Sequence, residues 1–224
     1  MIMNISASLI DIVLHVDKYI ALLLDKFGVF SYLILFLVIF LETALVFTPF
    51  LPGDSLLFAA GTFAAVGSFN IWIIFLLFFL AAVLGDTVNY YIGHFIGKKI
   101  LAMRSKLVTK IVKKEYIDRT QSFFDKHGGK TIVLARFVPI VRTFAPFLAG
   151  IGEMKYWKFL SYNVIGGFVW VALFVFGGYF FGNIPFVRNN FSFVIICILV
   201  ASFVPVAFEF LRHRLAQRKK NKQE

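Results

Sequence analysis

The chain has 224 residues, enough for one domain, but 60% of them are hydrophobic and the mean hydropathy is +0.84, which excludes a soluble globular fold. Its formal net charge is +11, yet ten of the 23 basic residues lie between Lys98 and Lys130 and six more between Arg212 and Lys222. Both clusters flank apolar runs, so the charge reads as cytoplasmic placement and contact with anionic membrane lipids, not as a nucleic-acid surface.

Residues 1–26 alternate apolar stretches with Asp and Lys, which predicts an amphipathic interfacial helix. Asp11, Asp17 and Asp25, with no basic lead, argue against a cleavable signal peptide. The run 29–48 is hydrophobic apart from Glu42. Whether it re-enters or crosses stays open, and with it the side of the N-terminus. Pro49-Phe50-Leu51-Pro52-Gly53-Asp54 then forms a turn that cannot be helical. Ser55–Val66 is apolar but too short to cross, and Gly67-Ser68-Phe69-Asn70 breaks the chain again.

Ile71–Gly97 is a predicted span carrying Asp86 and Asn89, two polar groups on one helix face that read as a packing hydrogen bond in preference to a part in transport. Residues 98–130 form a basic amphipathic cytoplasmic segment. Thr131–Ile151 holds only two charges, Arg136 and Arg142, and two helix breakers, Pro139 and Pro146. Ser161–Gly182 is free of charged side chains over 22 residues, and Phe191–Phe208 over another 18, the last span; each can cross a hydrocarbon core of about 30 Å. Residues 209–224 are a basic cytoplasmic tail. Gly93-x-x-x-Gly97 and Gly178-x-x-x-Gly182 predict close helix approach. The single Cys197 allows no intrachain disulfide, and His15, His94, His127 and His213 are scattered without ligand partners. No metal or other cofactor is expected. No GxSxG, P-loop or HExxH motif is present, so a transporter is favoured over an enzyme.

An internal repeat is visible within this single membrane domain. Phe47-x-Pro49 recurs as Phe137-x-Pro139 at an offset of 90. Ala60-Gly61 recurs as Ala149-Gly150, and Tyr90-Tyr91-Ile92-Gly93 as Tyr179-Phe180-Phe181-Gly182, both at 89. Upstream, Asp25-Lys26-Phe27-Gly28 matches Asp125-Lys126-His127-Gly128 at 100. Residues 25–97 and 125–182 are thus two copies, each a broken hairpin plus a span. One crossing between the hairpins inverts the second copy, the pattern in which facing broken helices build a site near the bilayer midplane.

The breaks carry the chemistry. Glu42 and Asp54 lie in or beside the first, at Pro49, Pro52 and Gly53; Arg136 and Arg142 lie in the second, at Pro139 and Pro146. A guanidinium at bilayer depth is costly and faces protein, water or an anion. The four charges read either as structural salt bridges or as a working site, and buried ion pairs are poor stabilisers relative to apolar packing. In the working reading Arg136 and Arg142 bind a phosphate through forked hydrogen bonds, while Glu42 or Asp54 takes and releases a proton. Helix starts near Ser55 and Pro146 would add positive dipole ends, and Asp54 could equally cap the helix at Ser55.

The stretches FLETALVFTPFLPGDSLLFAAG, LGDTVNYYIGHFIGKK and KHGGKTIVLARFVPIVRTFAPFLAGIGEM strongly resemble the DedA family of bacterial inner-membrane proteins, within the wider VTT (SNARE-associated) group. The resemblance covers roughly residues 10–215. It implies an all-α integral membrane protein in which two re-entrant hairpins face each other. It also implies translocation of a polyprenyl phosphate or phospholipid, with undecaprenyl phosphate and the proton-motive force as family themes in cell-envelope upkeep. The family's important acids match Glu42 and Asp54 and its arginines match Arg136 and Arg142. The resulting expectation is a proton-coupled lipid-phosphate flippase. Its rivals are a proton-coupled cation antiporter and, less favoured, a membrane-embedded lipid phosphatase. A homo-oligomer stays open.

Overall fold

The computed structural model describes residues 16–45, 53–97, 121, 124–182, 184, 185, 187, 193, 194, 196 and 197. The predicted breaks at Pro49 and Pro52, the basic stretch 98–120, the tail 209–224 and all but four positions of 191–208 lie outside these residues. The elements are helical, and no strand occurs among the described residues.

Helix α1 (Val16–Phe27) stops at Gly28, which adopts φ +49° and donates its N–H to the Leu24 carbonyl at 2.9 Å. Lacking a Cβ, glycine enters this left-handed cap at little cost. Gly128, its partner in the predicted repeat, has φ +56°. Helix α2 (Phe30–Ala44) buries Ser31, Leu35, Ile39 and Glu42, a stripe recurring every three to four residues. Helix α3 (Gly53–Ala65) follows, then a turn at Gly67. The Asn70 side chain caps helix α4 (Ile71–Ile92), accepting from the Trp72 and Ile73 amides at 3.0 and 3.2 Å. A wider π turn, Gly93–Gly97, prolongs α4. Beyond a 3₁₀ turn at Gly128–Lys130 come α5 (Thr131–Ala135), α6 (Pro139–Ile151) and α7 (Tyr156–Phe181).

Among the described residues two helices are long and apolar enough to cross a membrane: Ile71–Gly97 with 27 residues and Tyr156–Phe181 with 26. At 1.5 Å per residue each reaches about 39 Å, more than the hydrocarbon core. Both expose apolar side chains outward: Leu76, Leu80 and Leu84 on α4, and Ile165, Phe168 and Leu173 on α7. The inner faces hold the core around Phe78, Trp170 and Val175. Outward apolar faces on helices of this length suit a lipid surrounding.

The halves are interleaved by glycine contacts. A Cβ on Gly61 of α3 would strike the Val175 carbonyl of α7, and one on Gly178 the Phe58 carbonyl. Likewise Gly150 of α6 abuts the Tyr90 carbonyl of α4, and Gly93 the Phe147 carbonyl. So α3 packs on the long helix of the second half and α6 on that of the first, whereas α2 rests on α4 and α5 on α7. Equivalent contacts pair Phe58 with Phe147 and Gly61 with Gly150 at an offset of 89, but Tyr90 with Val175, Gly93 with Gly178 and Gly97 with Gly182 at 85. The long helices therefore correspond one turn away from the sequence match of Tyr90–Gly93 with Tyr179–Gly182. Connecting residues are fewer in the second half, and aromatic- and glycine-rich helices offer a plausible match at every turn.

Two local expectations are corrected. Pro146 does not break the chain: it lies inside α6, and the second break falls earlier, at the turn 136–138, with Pro139 opening the helix. Proline suits the first turn, where its absent N–H would have had no intrahelical partner. The helix start once expected near Pro146 is therefore at Pro139. Asp54 is not a cap, because α3 already begins at Gly53 and Asp54 sits within its first turn.

If the glycine contacts set the helix spacing, Gly178→Ala destabilises the detergent-solubilised protein by about 1–3 kcal/mol, since the added methyl displaces backbone. Gly177→Ala, whose Cβ meets nothing within 4 Å, leaves the unfolding temperature unchanged or slightly raised. Parallel thermal unfolding of the two variants checks this.

Candidate functional site

Five ionisable side chains from four helices and one turn meet inside the helix assembly, in two networks. In the first, Arg142 of α6 binds both acids of the first half: one guanidinium nitrogen pairs with Glu42 Oε1, and Nη1 holds Asp54 Oδ1 at 3.1 Å. Glu42 also accepts the Gly53 amide at 3.2 Å. A side chain at Gly53 would overlap the Glu42 carboxylate, so glycine is required where α3 begins. Trp170 of α7 donates its indole N–H to the same Asp54 oxygen at 2.8 Å.

In the second network Arg136, in the turn before α6, donates to Asp86 Oδ2 of α4 at 2.6 Å and to Asn163 Oδ1 of α7 at 2.5 Å. Asn163 passes the chain of bonds on, giving its amide hydrogens to the Val83 carbonyl at 3.0 Å. The guanidinium rests against Gly166 and Gly167, where a side chain would crowd it. Its Nε and Nη1 have no hydrogen-bond partner among the described residues, nor does Glu42 Oε2. The site thus retains hydrogen-bonding capacity of both signs.

Accessibility separates the networks. The Arg142 and Asp54 side chains are 11% and 15% exposed, while Arg136 is at 2% and Asp86 at 5%. Arg142 stands at the rim, and Arg136 is interred behind it. Trp170 joins the two, with guanidinium carbons 4.9 Å (Arg142) and 5.7 Å (Arg136) from its ring centroid, within cation–π reach.

The pairing differs in part from the sequence expectation. Arg142 meets both Glu42 and Asp54, but Arg136 takes Asp86, for which the sequence favours a packing hydrogen bond over a part in transport. Asn89 turns elsewhere, donating to the Thr143 carbonyl at 2.9 Å and the Thr43 carbonyl at 3.4 Å, so it clasps α2 and α6 together. Asn163 and Trp170 were not anticipated. Their only signal is being polar-capable residues in the charge-free run 161–182, where each needs a partner. Among the described residues no group of His, Cys, Asp or Glu could hold a metal ion.

Residues 51–180 match the family model for the VTT domain. The chain is 50% identical to Protein DedA of Escherichia coli K12 over 216 residues, 96% of this chain and 97% of that protein. It is 40% identical over 196 residues to an uncharacterized membrane protein of Mycobacterium tuberculosis H37Rv, 85% of each chain. It is also 31% identical to the E. coli K12 inner membrane protein YqjA, over 79% of each chain. No solved structure matches.

Because Arg136 is interred with one carboxylate, Asp86→Ala leaves an uncompensated buried cation and costs about 3–5 kcal/mol of stability. Asn163→Ala removes one bond to that cation and costs about 1–3 kcal/mol. Unfolding of the two variants in one detergent, with Asp86→Ala clearly the worse, checks the ranking.

Proposed function

The chain belongs to the DedA family of VTT-domain membrane proteins, and from that premise we propose that it is an inner-membrane lipid-phosphate flippase driven by protons. The observation that carries the reading is that Arg142, which is partly exposed, is shared by two carboxylates, Glu42 of α2 and Asp54 of α3. An arriving phosphate monoester or diester has the charge and forked acceptors to replace them.

The charge balance of the cluster gives the coupling. Three carboxylates, Glu42, Asp54 and Asp86, face two guanidiniums, so with all five ionised the group carries one negative charge. A phosphate moving in adds more negative charge to a site of low dielectric, which is unfavourable unless protons arrive with it. Protonation of Glu42 or Asp54 weakens its hold on Arg142, the guanidinium takes the phosphate, and deprotonation returns the carboxylate and expels the lipid. The head group travels through polar surroundings while its tail stays in the bilayer. Arg136, behind the rim, supplies further donors.

The reciprocal packing of α3 on α7 and α6 on α4 supports two re-entrant hairpins of opposite orientation, each resting on the other half's span. Inward-open and outward-open states then exchange as one hairpin moves against the other. The positive charge of residues 98–130 and of the tail supports their placement in the cytoplasm. The family resemblance supports a polyprenyl phosphate such as undecaprenyl phosphate, or a related phospholipid, as the substrate. Transport of this kind would serve envelope biogenesis.

The test is reconstitution in liposomes with labelled undecaprenyl phosphate. Native protein moves the lipid at a rate that a protonophore lowers, Arg142→Ala abolishes movement, and Glu42→Gln uncouples it from the pH gradient. Cation flux against a proton gradient without lipid movement would make it an antiporter, and release of inorganic phosphate an enzyme.

A further inference from the structure

Trp170 touches both ion-pair networks, and packing alone does not account for it. It is fully buried in α7, its N–H bonded to the Asp54 oxygen that Arg142 also holds, with both guanidiniums within 5.7 Å of its ring centroid. At the offset of 85 that relates the long helices, the corresponding residue of the first half is Gly85, where the Thr43 hydroxyl lies against the backbone. The scaffold position thus accepts no side chain at all in one copy. The indole in the other copy is there for what it contacts.

We infer that Trp170 is a positioning residue of the lipid-phosphate site, holding Asp54 as the competitor for Arg142 and spacing Arg142 and Arg136 for one phosphate. The inference rests on the flippase reading. Its two parts use different atoms of the indole. The N–H bond fixes the Asp54 carboxylate between two donors, so Asp54 can return to one place each time the lipid leaves. The ring face is attracted to both cations, which offsets part of their mutual repulsion and keeps them together when the carboxylates let go. Phenylalanine keeps the ring face and removes the N–H; leucine removes both.

The separation predicts a split in kinetics. In proteoliposomes Trp170→Phe lowers the turnover of undecaprenyl phosphate about tenfold, the loss expected for one hydrogen bond to a charged group, while its KM stays within about twofold. Trp170→Leu lowers turnover similarly and also raises KM severalfold. Native turnover in Trp170→Phe, or an equal KM rise in both variants, overturns the assignment and makes Trp170 a packing residue.

A second arm does not need transport. The chain has three tryptophans, and Trp72 and Trp157 are exposed, so Trp72→Phe with Trp157→Phe leaves Trp170 as the sole emitter. In nanodiscs its fluorescence changes on Asp54→Asn, and it changes saturably when undecaprenyl phosphate is added to the protein retaining Asp54. Emission indifferent to Asp54→Asn overturns the positioning role even if native protein transports lipid. If native protein carries no lipid but the emission responds to Asp54→Asn, the flippase reading fails, and the Asp54–Trp170 contact stands on its own.

Discussion

Burying Arg142 is the constraint from which the rest of this molecule follows. A guanidinium inside an apolar helix assembly needs counter-charge and hydrogen-bond acceptors, or the fold does not close around it. Both counter-charges come from the first half, Glu42 a hundred residues upstream and Asp54 eighty-eight. One residue therefore staples the C-terminal end of α2 and the start of α3 to α6. The demand propagates outward: Gly53 must be bare to admit the Glu42 carboxylate, and Trp170 must present its N–H to Asp54. Arg136 repeats the arrangement further in, with Asp86, Asn163 and the glycine pair 166–167 around it.

The two halves share a scaffold but not its decoration. Glycines stand at matching contacts, Gly61 with Gly150 and Gly93 with Gly178, and hold the backbones at the same spacing. At other matched positions the residues are opposites in size or charge. Gly53 corresponds to Arg142 and Asp54 to Thr143 at the offset of 89; Gly85 corresponds to Trp170 and Asp86 to Val171 at 85. Where one copy supplies a large or charged group the other supplies a small or neutral one. Repeat symmetry builds the frame, and its local violation builds the site.

Much of this was legible in the chain itself. Long charge-free runs and the turn at 67–70 mark the helices because bilayer-depth backbone has few alternatives. The conspicuous charges Glu42, Asp54, Arg136 and Arg142 announce themselves by their cost. What stayed hidden depends on which helix faces which. Asp86 looks like a packing residue until α4 is seen beside the turn before α6, and Trp170 looks like one aromatic among many. Pro146 misleads because a local rule about helix breaking is outweighed by burial among neighbouring helices. The register of the long helices misleads because Phe, Tyr and Gly recur too often to single out one alignment.

Pro146 has a mechanical consequence. It lies four residues after Arg142, so the Arg142 carbonyl lacks the amide donor that would normally close that rung of α6. A helix bends most cheaply where its ladder is interrupted. The compliant point of α6 thus falls between the turn that carries the guanidinium and the turn that carries Phe147 and Gly150, which are seated on α4. Both flanking turns are anchored, the first by the Asn89 bond to the Thr143 carbonyl and by the ion pairs of Arg142, so when those carboxylates let go the helix is softest next to the residue they held.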